Sequence, residues 1–455
     1  MRKKVIFAVI ITYFSGFRKY IICKRFSCGI VKTHLPEREK SCIIGASEKA
    51  GGIGLQIIVI GGGASGMMAA ITAAKMHQND HVVLLERQAR VGRKLLATGN
   101  GRCNLTNLQL QGRHFHGSAP EFAAFALSQF DPLDWFHRHG LLTVAEPSGR
   151  VYPLSDSANS VLDVLRFALQ QPNLEQQLGC EVTGVKKNGD TFFVKTATQT
   201  LTAQRVIVAC GGLAGTKLGG GMSGYQILRS FGHRATRLAP ALVQINTEDT
   251  YVKALKGVRA DAAVTLCRGE ETLARCEGQV QFTANGVSGP AIFDISRVAS
   301  TQSGDLTLHL DLLREYSLPV VQELLEQRAR QFPQLTGEDL FTGMLHNRLG
   351  RTLLRYAKIP VLPLAQTNPA QAAAAAKDFA LPVVGTMGMD CAQVTAGGIL
   401  TGDFNDKTME SRLCSGLFAC GEVLDIDGDC GGYNLHWAWA SGHLAGMGGS
   451  HDSDS

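Results

Sequence analysis

Ile57-Ile58-Val59-Ile60-Gly61-Gly62-Gly63-Ala64-Ser65-Gly66 decides the fold. Its first four residues are apolar and β-branched, as a strand buried on both faces requires. Glycines at 61, 63 and 66 then follow with the spacing G-x-G-x-x-G. Ser65–His77 is rich in Ala and Met and predicts a helix. His81-Val82-Val83-Leu84-Leu85 predicts a second buried strand, which ends at Glu86, 20 residues after Gly66. Together these make a β-α-β unit of about 30 residues. Gly61 permits a tight turn, Gly63 lets the backbone approach a pyrophosphate, and Gly66 lets helix and strand pack closely. The helix start, with Ala64 and Ser65, offers unpaired N–H groups and partial positive charge to phosphates. Glu86 is placed to accept hydrogen bonds from ribose hydroxyls. A coincidental glycine-rich turn is the competing reading, and it leaves the flanking strand, helix and acid unexplained.

The chain has 455 residues, enough for two or three domains. Its net charge of +6 is unevenly distributed. Residues 1–55 hold 11 Lys/Arg and 3 Asp/Glu, whereas the remainder holds 34 and 36. The body is therefore near neutral, which gives no general support to nucleic-acid binding. The 12 cysteines form no C-x-x-C pair and no metal-ligand cluster, so no metal site is expected. Scattered cysteines predict a cytoplasmic protein without disulfides.

The basic stretch Met1-Arg2-Lys3-Lys4 precedes an apolar run, Val5 to Phe14, that is too short to span a bilayer. Three readings compete for residues 1–55: a non-native or wrongly chosen start, a weak membrane-surface anchor, and a secretion signal lacking a clear cleavage site. No stable membrane association is expected.

The predicted fold class is α/β, with a discontinuous Rossmann-type domain. Its parts are 56–240 and 385–450. A β-rich, barrel-like insertion spans 241–315, where ALVQINT, AAVTLC, GQVQFT and DLTLHLDL read as short strands. A small helical insertion spans 316–384. Helices are also predicted near 120–139, 157–171 and from Trp437 to Met447. Strands are predicted within 179–209.

Two later motifs turn the nucleotide into FAD. Val206-Ile207-Val208-Ala209-Cys210-Gly211-Gly212 resembles the strand and glycine turn that closes a flavoprotein nucleotide domain. Gly416-Leu417-Phe418-Ala419-Cys420-Gly421-Glu422, with Asp425 after it, resembles the late motif whose acid contacts the ribityl or pyrophosphate. Each alone also fits a glycine-flanked buried strand.

A longer stretch, Arg93-Lys94-Leu95-Leu96-Ala97-Thr98-Gly99-Asn100-Gly101-Arg102-Cys103-Asn104-Leu105-Thr106-Asn107, resembles the signature of the BaiN/RdsA family of NAD(P)/FAD-dependent oxidoreductases. These are YhiN-like flavoproteins, with aminoacetone oxidase-type members. Further matches are Phe282-Thr283 with Gly286–Ala291, Val394–Gly398, and Gly421–Gly428 running into Gly431–Ala440. The resemblance covers about 56–447. It implies FAD as cofactor and NAD(P)H as electron donor, although no second dinucleotide fingerprint is present. Where the family usually has Gln, this chain has His436. Residues 1–55 have no counterpart.

The cofactor-binding candidates beyond the first turn are Glu86, Arg87, Arg93, Lys94, Asn100, Gly101, Arg102, Asn104, Val182, Gly211, Gly421, Glu422, Asp425, Gly432, Tyr433 and Asn434. Arg93, Lys94 and Arg102 fit pyrophosphate or anionic-flavin neutralisation, or a solvated loop charge. Asn100, Asn104 and Asn434 both donate and accept, as an isoalloxazine edge requires; local turn capping is the alternative for each. Gly431 and Gly432 admit the backbone close to the ring. Cys103, beside Arg102, and His436 are the catalytic candidates. Packing roles compete for both. Cys430 beside Gly431 has the same two readings, and Trp437 and Trp439 read as core.

The resemblance implies reduction of an activated C=C bond. The substrates it offers are uridine of large-subunit ribosomal RNA, giving dihydrouridine, and steroid-type enones; in an ordinary bacterium the RNA substrate is the one expected. Arg328, Arg330, Arg348, Arg351 and Arg355 would form an RNA track or a solvated helix face. An oxidase of a small amine and a flavin-containing RNA-binding or assembly factor are the alternative functions. The oligomeric state is not legible.

Overall fold

β1 (Gln56–Ile60) is the middle strand of a five-stranded parallel sheet in the computed structural model, which describes residues 54–448. The readings of the basic N-terminal stretch fall almost wholly outside those residues. β2 (His81–Glu86) and β3 (Leu174–Leu178) lie on one side of β1. β4 (Arg205–Val208) and the strand Leu417–Ala419 lie on the other. Register pairs Ile58 with both Val83 and Val206, and Ile207 with Phe418. Strand order runs outward from β1 in both directions. The carboxyl end of β1 is therefore a topological switch point, where open α/β sheets bind ligands.

Apolar side chains of β1, β2 and β4 pack under α1 (Ala64–Met76) and the last helix, Tyr433–Met447. Those two helices touch backbone to backbone. A Cβ added at Gly442 would lie 2.4 Å from the Ser65 carbonyl oxygen, and one at Gly446 would lie 2.5 Å from that of Ala69. The late glycines thus dock the end of the chain onto the nucleotide-type turn at its beginning.

Between β2 and β4 the predicted helix near 120–139 divides into Ala123–Gln129 and Pro132–Arg138. Pro132 cannot continue the preceding helix, and the Asp131 carboxylate caps the new one by accepting from the Leu133 N–H at 2.8 Å. Strands Val182–Asn188, Thr191–Thr196 and Thr200–Ala203 form a separate antiparallel sheet.

The insertion is a closed six-stranded barrel. Its strands run in the spatial order Ile245–Thr247, Gly286–Ser288, Glu271–Phe282, Arg259–Arg268, Leu306–Asp311 and Phe379–Thr386, which closes on the first. Alternate residues such as Ala262, Val264 and Leu266 fill the interior. Phe379–Thr386, the closing barrel strand, runs across the boundary expected at 384/385. The helices Leu318–Gln331, Asn347–Tyr356 and Pro369–Lys377 leave and re-enter the barrel. Leu325, Leu353 and Ala376 share one apolar core with Leu308 and Phe379. Arg348 donates to the carbonyls of Ala254 and Lys256, Arg351 pairs with Glu338 at 3.2 Å, and Arg355 donates to the Thr250 carbonyl at 3.1 Å. Arg328 donates to the carbonyls of Asp339 and Thr342. These four arginines tie the helices to their surroundings.

Candidate functional site

The carboxyl end of β1 opens into a cavity of about 650 Å³. Gly61, at φ +110°, begins the turn, and a Cβ there would lie 2.4 Å from the Ala209 carbonyl oxygen. A Cβ on Gly66 would lie 1.8 Å from the Gly61 carbonyl oxygen. A Cβ on Gly63 would meet nothing within 4 Å, since Gly63 faces the cavity. Ala64 and Ser65 join it in the wall, with the first N–H groups of α1 unpaired by the helix. Gly66 itself is packed behind them.

Glu86 also lines the wall. Its carboxylate accepts from the Gly62 N–H at 2.6 Å and the Gln88 N–H at 2.7 Å, which fixes its orientation. Arg87 donates to the Gly219 carbonyl at 2.5 Å. Arg93 reaches the Gln88 side chain at 3.0 Å, and Lys94 pairs with Glu422 at 2.8 Å. All four, with Val182 and Gly211, line the cavity.

The segment 98–104 bends through left-handed conformations at Gly99, Asn100, Gly101 and Cys103. Non-glycine residues there are uncommon and gather at ligand sites. Asn100, Arg102 and Asn104 line the cavity, whereas Gly101 and Cys103 do not. Arg102 lies over the Tyr152 ring at 3.8 Å and pairs with Glu146 at 3.0 Å and with Asp156. The Asn104 Oδ1 is buried and has no hydrogen-bond partner among the described residues. Gly432 leaves it room: a Cβ there would lie 2.8 Å from that oxygen.

Glu422, Gly432 and Asn434 face the cavity; Gly421, Asp425 and Tyr433 lie behind it. Asn434 accepts from the Gly428 N–H at 2.9 Å and donates to the Gly428 carbonyl at 2.7 Å, so its amide caps its own turn. Asp425 accepts from the Ser118 N–H at 3.0 Å, and the Tyr433 ring stacks on His114 at 4.4 Å. Trp439 is core; Trp437 is buried with one side on the cavity.

Neither catalytic candidate reaches the wall. Cys103 is fully buried, and burial pushes its thiol up to about 12. Burial likewise pushes the His436 imidazole down to about 4, so it is neutral at physiological pH. Its Nδ1 meets Thr106 Oγ1 at 2.7 Å and its Nε2 meets the Phe130 carbonyl at 3.3 Å. The Nε2 therefore carries the proton and donates, while Thr106 donates to Nδ1.

A further set of titratable groups lies near Gly431, where Asp429, Cys430 and Arg150 line the cavity. Asp429 accepts from His116 at 2.6 Å and His114 at 2.9 Å. Burial pushes its carboxyl up, but the two histidines outweigh this and hold it below the usual range. Cys430 donates its backbone N–H to Asp294 at 2.9 Å, and burial pushes the Asp294 carboxyl up to about 6. Burial pushes the Cys430 thiol up to about 11. Arg150 approaches the Cys430 carbonyl at 3.3 Å.

The opposite wall comes from the insertion and includes Arg259, Gln279, Gln281, Ser288, Pro290 and Phe293. None of these was singled out individually in the sequence. Ser288 and Pro290 fall within the Gly286–Ala291 motif, and Gln279, Gln281 and Phe293 lie next to it or to Phe282-Thr283, whereas no motif marks Arg259. Among the described residues no three His, Cys, Asp or Glu side chains form a metal site. Among them, no helix is long and apolar enough to cross a membrane.

The profile of the HI0933-like protein Rossmann domain family matches residues 55–448. A curated protein of Clostridium scindens, 3-dehydro-bile acid delta(4,6)-reductase, is 39% identical over 401 residues, covering 86% of this chain and 98% of that protein. Two proteins named ribosomal RNA dihydrouridine synthase are also similar. The one from Escherichia coli is 30% identical, covering 84% of this chain and 95% of that protein. The one from Haemophilus influenzae is 28% identical, covering 86% and 97%. A match spanning nearly every described residue settles the lineage: the chain belongs to the HI0933-like Rossmann domain family.

Proposed function

We propose that this chain is an FAD-dependent reductase of a C=C bond conjugated to a carbonyl. One observation carries the reading: a dinucleotide-type glycine cradle and a separate polar and apolar wall face one cavity. The residues present fit FAD. Gly63 leaves the turn open where a pyrophosphate would approach, backbone N–H groups orient Glu86 at the end of β2 where a ribose would hydrogen-bond, and Asn104 Oδ1 is a buried acceptor without a donor among the described residues. Bound FAD would supply hydride transfer to the conjugated carbon.

The chain's own residues then have separable roles. The turn and the start of α1 hold phosphate, with Lys94 nearby. Asn104 and the Gly431-Gly432 backbone orient the ring edge. The proton comes from Tyr152 or Cys430, which line one end of the cavity and which burial keeps protonated, whereas Asp429 beside them is held ionised by its histidines and Cys103 and His436 do not face the cavity. The names of the relatives support this chemistry: one is a 3-dehydro-bile acid delta(4,6)-reductase and another a ribosomal RNA dihydrouridine synthase. The greater identity to the bile acid enzyme favours a small enone over RNA.

NAD(P)H is the proposed electron donor. Anaerobic mixing of the FAD-loaded protein with NADH or NADPH should bleach the flavin, and a steroid enone should restore its colour. Rapid reoxidation by air with no response to the enone would replace this reading with a small-amine oxidase.

A further inference from the structure

Arg259, Gln279, Gln281 and Ser288 sit on three neighbouring barrel strands. Register places Arg259 opposite Gln281, and Gln281 opposite Ser288. Gln279 is two residues from Gln281 and shares its face, while Val280 and Phe282 point into the barrel core. All four polar residues line the cavity. None of their side chains makes a hydrogen bond or ion pair with another described residue.

The facing wall differs. Lys94 is paired with Glu422, Arg102 with Glu146 and Asp156, and Arg87 and Arg150 with backbone carbonyls. Arg90, close to Glu86 in sequence, is the other uncommitted cation of the wall. Beside the polar barrel residues, Leu242, Pro290, Phe293 and Val394 add apolar surface. The barrel wall therefore combines a guanidinium fork, two amides and a hydroxyl with an apolar strip.

We infer that this barrel wall is the substrate-recognition surface and takes an apolar molecule bearing one carboxylate, which Arg259 binds. A guanidinium holds a carboxylate through two parallel N–H···O bonds, which an ammonium cannot reproduce. The glutamine amides accept or donate to whatever polar groups lie alongside. This inference rests on the proposed reductase reading for the reaction, but concerns binding.

The test is calorimetric titration of the FAD-loaded full chain with a carboxylate-bearing steroid enone and with its methyl ester. Wild type should bind the acid about tenfold more tightly than the ester, as a charge-assisted pair supplies. Arg259→Gln should abolish that preference and leave ester affinity unchanged, and Arg259→Lys should restore part of it. Equal binding of acid and ester by wild type, no binding of either, or a preference that survives Arg259→Gln would overturn the inference. So would Arg259→Gln weakening a uridine-containing RNA oligonucleotide but not the acid, which would make the ligand a phosphate chain. If the preference behaves as expected but neither compound is reduced, the reductase reading fails and the recognition surface stands.

Discussion

Lys94 Nζ lies 2.8 Å from Glu422 Oε2, although 328 residues separate the two in sequence. The pair joins the loop after β2 to the turn after the strand Leu417–Ala419, at the cavity wall. The other Glu422 oxygen accepts from the Thr395 N–H and hydroxyl, each at 2.9 Å. Both side chains are partly exposed, at 28% and 21%, so water screens the pair. Lys94→Met and Glu422→Gln should each cost about 1 kcal/mol of stability. The double variant should cost less than the sum. Urea denaturation of the flavin-free protein measures the cycle, and strict additivity would mean the two groups are not coupled.

That pairing shows where sequence reading stops. Lys94 and Glu422 each stand in a recognisable motif, yet nothing in either motif names the other as partner. The β1–α1–β2 unit was legible because strand, turn and helix are local and each glycine has a distinct steric task. The closing barrel strand was not. Phe379–Thr386 follows an alanine-rich helix, contains Pro382, and contributes only two fully inward side chains, Phe379 and Leu381. The alternation around Gln279 and Gln281 was visible, but the outer face of a strand reads as solvent until a second wall is known to oppose it. Likewise, the depth of Cys103 and His436 is set by elements far away in sequence.

His436 should make stability depend on pH. The unfolded chain protonates a histidine near about 6.5. The folded chain resists protonation until about 4, because burial disfavours the cation. Its contribution to stability is therefore full at neutral pH and is lost as pH falls from about 6.5 towards about 4. At about pH 5 the loss is roughly 2 kcal/mol. Asp294 acts in the opposite sense: its raised folded value adds stability as pH falls below about 6. Comparing wild type with His436→Gln at equal flavin content cancels that effect. The variant should lose less stability between neutral and acid pH, and parallel curves would mean the imidazole is not held neutral.

Cys103 should be chemically silent. Its thiol is fully buried and stays protonated at any ordinary pH, whereas Cys391 is exposed. Brief iodoacetamide treatment of the native protein should alkylate Cys391 and spare Cys103, as read by peptide mass spectrometry. Cys103→Ser should retain flavin and turnover while losing about 1–3 kcal/mol of stability, the cost of placing a hydroxyl in an apolar site. Loss of turnover at full flavin content would return Cys103 to the reaction.

Gly63 and Gly66 separate folding from cofactor binding within one turn. A methyl group at Gly66 would be driven into the Gly61 carbonyl oxygen, 1.8 Å away, and neither backbone can yield. Gly66→Ala should cost more than about 3 kcal/mol and leave little soluble protein. A methyl group at Gly63 meets no protein atom within 4 Å but projects towards the cavity, where a pyrophosphate would approach. Gly63→Ala should therefore melt like wild type when flavin-free, yet bind FAD at least about tenfold more weakly. Fluorescence titration of FAD into both proteins measures the difference. Unchanged affinity in Gly63→Ala would mean that the phosphates do not rest on this turn, and the Glu86 carboxylate would then need another partner.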